Sequence, residues 1–274
     1  MSLKLHHIVI LVKDLQKATD DYQKLGFVVT PGGRHLGGIS ENALILLKDG
    51  TYLELLAVRR GIRALVLRLL YKTGLLTFFR KSKYGITLRF YGRAFDLPEG
   101  LIDVALLSEN LSKDRIHLKN RGVFLTKPLA AGRRTPDGKL LRWKMSAPLT
   151  DELPFLISGL HPLSLPDPSA TEHANGVVGL EGMVLVVTDR WDQVVRGFQN
   201  LLGIRPIVQE QSDHTVFRFQ LNEHFIDILK AAGAIGMSRV THQYGLGIYA
   251  VKFDSSQLPL EWDLKLSHGL MIFG

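Results

Sequence analysis

The sequence predicts an α+β fold assembled from a repeated strand–helix–three-strand (βαβββ) unit. Three observations carry this. Short β-branched apolar runs, such as Val9-Ile10-Leu11-Val12, are followed by segments whose apolar residues fall at helical spacing. Turn signals at Asp49-Gly50, Pro136-Asp137-Gly138 and Asn222-Glu223 then divide further extended runs into hairpins. The same order of elements occurs three times along the chain, and a repeat outweighs any single motif.

The first unit opens with "LHHIVILVKDLQKATDDYQKLGF", a strand that begins at His6 and His7. Asp14 precedes Leu15, Ala18, Tyr22 and Leu25 as a helix start, and Gly26 closes that helix. "NALILLKDGTYLELLAV" supplies two more strands, ending at Val58. The second unit reads "LIDVALLSENL" (strand), "SKDRIHLKNRGV" (helix ending at Gly122), "RRTPDGKLLRWKM" (hairpin) and "LPFLISG" (strand). The third reads "LEGMVLVVTD", "RWDQVVRGFQNLLG" and "TVFRFQLNEHFIDILKA". The expected organisation is residues 1–160 for two units, with a basic helical insertion at 59–85, a Pro-rich linker at 161–176, and 177–274 for the third unit and C-terminal strands.

At 274 residues, with 46% hydrophobic and 22% charged residues, the chain is long enough for substantial cores. It has no cysteine, so disulfides and thiolate metal sites are excluded and any metal must use His and carboxylate ligands. The first residues run into strand pattern without a charged and then apolar leader, so the expected location is the cytoplasm. The net charge of +8 is local: ten basic and no acidic residues lie between Arg59 and Arg93, leaving 24 basic against 26 acidic elsewhere. Charges at Arg63, Arg68 and Lys72 argue against a membrane-spanning helix. The segment reads as an amphipathic helix packed on the domain, or as a surface for acidic lipid, an anionic ligand or a partner chain. No nucleic-acid motif accompanies the charge.

Overlaying the units singles out polar residues in apolar strands. His7 lies seven residues before Asp14, Asp103 seven before Asn110, and Gly182 seven before Asp189. In the closing strands Glu54 of "YLELLA" corresponds to Asp227 of "FIDILK", with Ser158 of "PFLISG" as the nearest second-unit equivalent. A mid-strand acid such as Glu54 is costly to bury unless it is paired (with an arginine, for example), hydrogen-bonded or bound to a metal. His7 reads as a satisfied rim histidine or as a ligand. Strand alternation sends His6 away from His7.

These units, with a His seven residues before an Asp and an acid in the closing strand, resemble the vicinal-oxygen-chelate superfamily. More narrowly, "HHIVILVKDL", "GGRH" leading to "NALILL", "GTYLELLA", "PDGKLLRWKM" and "LPFLI" resemble the glyoxalase-like domain proteins over residues 5 to about 160. The resemblance implies incurved mixed β-sheets paired into a cup, with a divalent ion (Mn, Fe, Co, Ni, Zn or Mg) at its floor. It implies His7, Glu54 and Asp103 as metal ligands, Glu54 and Asp103 as catalytic groups, and His35, Asn42, Arg142 and Trp143 as substrate-binding residues. The expected function is a metal-dependent lyase or isomerase-type enzyme on a small vicinal-oxygen substrate. The alternatives are a non-catalytic small-molecule binding or sequestration protein and a dimeric scaffold with a vestigial cup. The odd third unit packs either on strands near "GIYAVKF" or across a homodimer, and the insertion is placed to cover the cup's mouth.

Overall fold

The computed structural model describes residues 2–159, 168–187, 190–212, 214–231, 247–255, 263, 265–269 and 272–273. Asp189 and most of the Pro-rich stretch lie outside them. The first unit comprises β1 (Lys4–Val12), α1 (Leu15–Lys24), β2 (Thr30–His35), β3 (Ser40–Leu46) and β4 (Tyr52–Val58). The insertion follows, with α2 (Ile62–Lys72), a 3-10 turn (Leu75–Phe79) and α3 (Gly85–Asp96). The second unit is β5 (Gly100–Leu107), α4 (Leu111–Asn120), β6 (Leu129–Arg134), β7 (Leu140–Ser146) and β8 (Phe155–Ser158). The third is β9 (Val177–Val187), α5 (Trp191–Leu202), β10 (Ile207–Glu210), β11 (His214–Leu221) and β12 (His224–Ala231), followed by β13 (Gly247–Ser255) and β14 (Ile272–Phe273).

The repeat extends to individual hydrogen bonds. Asp14 caps α1 by accepting from Lys17 N, and Asn110 caps α4 by accepting from Lys113 N. Both helices end alike. Phe27 N donates to Tyr22 O and Gly26 N to Gln23 O; Val123 N donates to Leu118 O and Gly122 N to Lys119 O. This double closure needs a left-handed residue, and Gly26 and Gly122 supply it at φ of 85° and 79°.

The first two units close into one barrel in the order β1-β4-β3-β2-β6-β7-β8-β5. β1 runs parallel to β4 and β5 parallel to β8, while β1 and β5 meet antiparallel. In that seam His7 faces Ala105 and Val9 faces Asp103, the pairing expected of a pseudo-twofold relating His7 to Asp103. The register skips His6 in β1 and Ile102 in β5, two equivalent bulges. The third unit reproduces the seam: β9 pairs with β12 in parallel and with β13 antiparallel. The register skips Glu181, equivalent to His6. Its missing partner is therefore supplied within the chain by β13, the strand containing "GIYAVKF".

Ile8, Ile10, Leu53 and Leu55 on the outer side of the barrel share one apolar cluster with Tyr22 of α1 and with Met183, Phe198, Phe219 and Ile226 of the third unit. The junction is also hydrogen-bonded. Val28 N donates to His173 Nδ1 at 3.0 Å, so the proton sits on Nε2, which meets Leu46 O at 2.9 Å. On the inner side, Ile86, Phe90 and Ala94 of α3 pack with Val9, Leu56, Ala105, Phe155 and Ile157. The insertion thus places a helix against the cup.

An alanine at Gly122 meets open space, whereas a Cβ at Gly26 lies 3.0 Å from Asn175. Gly122→Ala is expected to cost about 1 kcal/mol, the left-handed backbone penalty alone, and Gly26→Ala more. Urea unfolding of both variants checks the order.

Candidate functional site

Glu54 is the centre of the cup's first-unit half. β4 carries Tyr52, Glu54 and Leu56 on one face, and the ladders with β1 and β3 bring His7 and Asn42 to that face. His7 Nε2 lies 3.4 Å from Glu54 Oε2. Asn42 Nδ2 donates to Oε1 at 2.6 Å, and His35 Nε2 of β2 is 3.7 Å from Oε1. Glu54 is therefore held by two imidazoles and an amide rather than by an arginine. His7 stacks on Tyr52, with ring centroids 4.5 Å apart, and meets Phe155 edge-on at 5.6 Å.

His6 departs from the alternation expected of a strand. Its Nδ1 lies 2.7 Å from His7 Nδ1. The reason is the β1 bulge: His6 is the unpaired residue, and a bulge places successive side chains toward one side instead of opposite sides. His7 thus turns Nε2 to Glu54 and Nδ1 to His6, joining the two imidazoles to the carboxylate in one chain of polar contacts. On the other side, His35 Nδ1 reaches Ser40 Oγ at 3.0 Å, and Ser40 Oγ reaches Tyr91 OH of α3 at 3.1 Å.

The cluster combines an ionised carboxylate with two imidazoles, His6 and His35, that burial holds below the usual histidine range. Burial would raise the Glu54 carboxyl, but hydrogen bonding and charge from His7, the His35 charge and the Asn42 hydrogen bond outweigh it and hold it at about 2. Burial and the neighbouring His7 lower His6 to about 3, against the pull of Glu54. Burial lowers His35 as well, with Arg133 adding to it and Glu54 opposing. Arg133 faces His35 in the β2–β6 ladder, is buried, and has an Nε without a hydrogen-bond partner. Asn42 Oδ1 is likewise unpartnered.

Of the residues singled out in the sequence, His7, Glu54, His35, Asn42 and Trp143 gather here; Trp143 meets His35 edge-on at 6.0 Å. Arg142 does not. It is exposed, one residue out of phase with Trp143, and the guanidinium at this site belongs to Arg133. The ladder pairs Ala131 with Trp143 and Arg133 with Leu141, so hairpin register in "AAGRRTPDGKLLRW" was the available signal.

The second-unit half is built differently. Asp103 is enclosed by cations: Arg89 Nε and Nη2 each reach a carboxylate oxygen at 2.8 Å, Arg93 Nη1 lies 2.7 Å from Oδ2, and Val104 N donates to Oδ1. Arg89 also donates to Leu153 O, and Arg93 to Ile102 O and Asp151 O. The closing-strand counterpart of Glu54 is also different from the sequence alignment. Glu54 pairs with Val9; Ala105, the equivalent of Val9, pairs with Phe155. Phe155, not Ser158, holds that position. Among the described residues no three His, Cys, Asp or Glu side chains are grouped to hold a metal ion. With Asp103 saturated by arginines and a phenyl ring at the remaining position, the donors do not complete the site the fold family implies. In the third unit Asp227 pairs with Arg218 at 2.6 Å, and a side chain at Gly182 would strike Phe225.

Two βαβββ units closing around a cup, with a His–Glu pair on the first and last strands of one unit, define the glyoxalase or vicinal-oxygen-chelate fold. The sequence model of the glyoxalase-like domain family matches residues 5–202, and the chain belongs to that family. The match runs past the second unit to the end of α5. Among solved structures, the chain is similar to a hypothetical protein from Staphylococcus aureus, with a TM-score of 0.68 at 16% identity over 94% of this chain and 92% of that one. It is also similar to a xylose isomerase-like TIM barrel/4-hydroxyphenylpyruvate dioxygenase fusion protein (TM-score 0.52, 14% identity, 93% of this chain and 37% of that one). A third is 2,2',3-trihydroxybiphenyl 1,2-dioxygenase from Sphingomonas wittichii (0.50, 14%, 95% and 75%). At these identities the likeness establishes the fold. No curated protein sequence matches the chain.

Asp103→Ala leaves two buried guanidinium groups uncompensated and is expected to cost about 3–5 kcal/mol of stability; a metal ligand outside the fold's support would cost little. Denaturant titration decides. Acid is expected to destabilise the fold through two groups. His6 resists the proton that the unfolded chain takes up at 6.5, so stability is lost as pH falls from 6.5 toward 3. The Glu54 contribution is present above 4.5 and lost as pH falls toward 2. Stability measured against pH is expected to flatten in the upper window for His6→Asn and in the lower for Glu54→Gln.

Proposed function

We propose that this chain is a small-molecule enzyme of the isomerase or lyase type that moves a proton on a small oxygenated anion at the first-unit half of the cup. The observation that carries the reading is the ionised Glu54 set between His7 and the neutral His35, beside a buried guanidinium with an open valence. Arg133 pairs with the anionic oxygens of the substrate and orients it. A carboxylate held near 2 is a weak base at neutral pH, so the proton goes to His35. Glu54, 3.7 Å from Nε2, stabilises the imidazolium that forms. Ser40 on Nδ1, with Tyr91 beyond it, provides the route by which the proton leaves or returns. Tyr52, Phe155 and Trp143 form apolar walls that limit water. Asp103, paired with two arginines, and Phe155 do not supply the second half of a metal site.

The packing of α3 against the cup favours one other reading, a protein that binds and sequesters a small anion without turning it over. Both are tested with pyruvate and lactate as probes in heavy water. Deuterium uptake at carbon, followed by NMR, is expected with the native chain and is expected to fall by about 100-fold or more in His35→Gln and Glu54→Gln, the usual worth of a general acid or base. Binding by saturation transfer without exchange would support sequestration. Neither exchange nor binding would remove both readings.

A further inference from the structure

The basic insertion does not pack as an ordinary amphipathic helix. No residue of α2 is buried. Ile62, Leu65, Val66 and Leu69 recur at i, i+3, i+4 and i+7, one stripe of a helix, and all are exposed, Ile62 by 72%. Ala64, Leu67 and Tyr71, on the opposite side, are only half-buried. At about 100° per residue, Arg63 flanks the apolar stripe on one side and Arg68 and Lys72 on the other. The 3-10 turn that follows also exposes apolar side chains, Leu75, Phe79 and Phe78, the last 86% exposed. Arg80, Lys81 and Lys83 follow.

A soluble helix turns such a stripe inward. Here it points out, bordered by cations and with no acid anywhere between Arg59 and Arg93. We propose that α2 and the following turn dock in the headgroup region of an anionic lipid bilayer. Apolar side chains enter the acyl boundary and the flanking Arg and Lys meet lipid phosphates. Charge complementarity selects this occupant. A second copy of the chain would bring an equally cationic surface against this one, and a nucleic acid would leave Phe78 and the Leu stripe in water. The segment has a firm base for docking, because Arg89 and Arg93 of α3 tie the insertion to Asp103 of the barrel. No helix among the described residues is long and apolar enough to cross a membrane, so the attachment is peripheral.

The test is flotation of the full chain with phosphatidylcholine vesicles, with and without phosphatidylglycerol, at low and high salt. Binding is expected to be at least about tenfold stronger with the anionic lipid and to weaken with salt. Two variants are compared, Leu65→Ser/Leu69→Ser/Phe78→Ser and Arg60→Glu/Arg68→Glu/Lys72→Glu; all six positions are exposed and their loss does not touch the core. Both are expected to lose binding. Equal binding to neutral vesicles, no binding, or self-association dispersed by the serine variant in a protein that ignores vesicles would overturn the proposal.

Discussion

The antiparallel seam between β1 and β5 is the constraint on which the rest of the molecule depends. Each of these strands also pairs in parallel with the last strand of its own unit, so the seam joins two four-stranded halves into one barrel. Its register sets which residues face the cup: His7 and Asp103 occupy related positions, as do Val9 and Ala105. The paired bulges at His6 and Ile102 bend the strands where the barrel must curve. In β1 the bulge has a chemical consequence, since it turns a second imidazole toward the first. The same skipped position, at Glu181, appears where β9 meets β13, which marks the seam as part of the repeated unit.

The two halves of the cup are built on one frame and carry opposite chemistry. Around Glu54 the frame presents histidines, an amide and an underused guanidinium. Around Asp103 it presents a carboxylate fully paired with two arginines, and a phenyl ring. Isolating a carboxylate from water is costly, and two arginines with well-formed hydrogen bonds offset that cost. Those arginines come from α3, so the same contacts that satisfy Asp103 hold the insertion against the barrel. The lopsided cup and the inserted helix are one feature: α3 occupies the half of the cup where the fold family would otherwise place donors.

The insertion separates two roles along a short segment. Its α3 faces inward and packs with Phe155 and Ile157, while α2 turns an apolar, cation-bordered stripe to the outside. The proposed site and the proposed docking surface therefore both adjoin this one insertion.

Much of this was legible in the sequence because its causes are local. Helix starts at Asp14 and Asn110, helix ends at Gly26 and Gly122 and the hairpin turns follow from residues within a few positions of one another. The strand pattern and its repeat led to the glyoxalase-like family. That His7 and Glu54 belong to one site was also accessible, since equivalent positions in repeated units can be counted; that they contact each other directly was not. Other features depend on register and on long-range approach. A bulge, invisible to the period of a strand, brought His6 onto His7. Ladder pairing, not sequence distance, put Phe155 rather than Ser158 opposite Glu54's position and Arg133 rather than Arg142 at the site. The partners of Asp103 lie 10 and 14 residues earlier, on a helix whose docking is set by packing. The sequence by itself determined the units, their order and the charge of the insertion, because propensity, capping and alternation act between neighbours. Which polar groups share the cup, and which face of α2 is left to solvent, was decided only when the barrel closed, because burial assigns partners across distances that local pattern cannot measure.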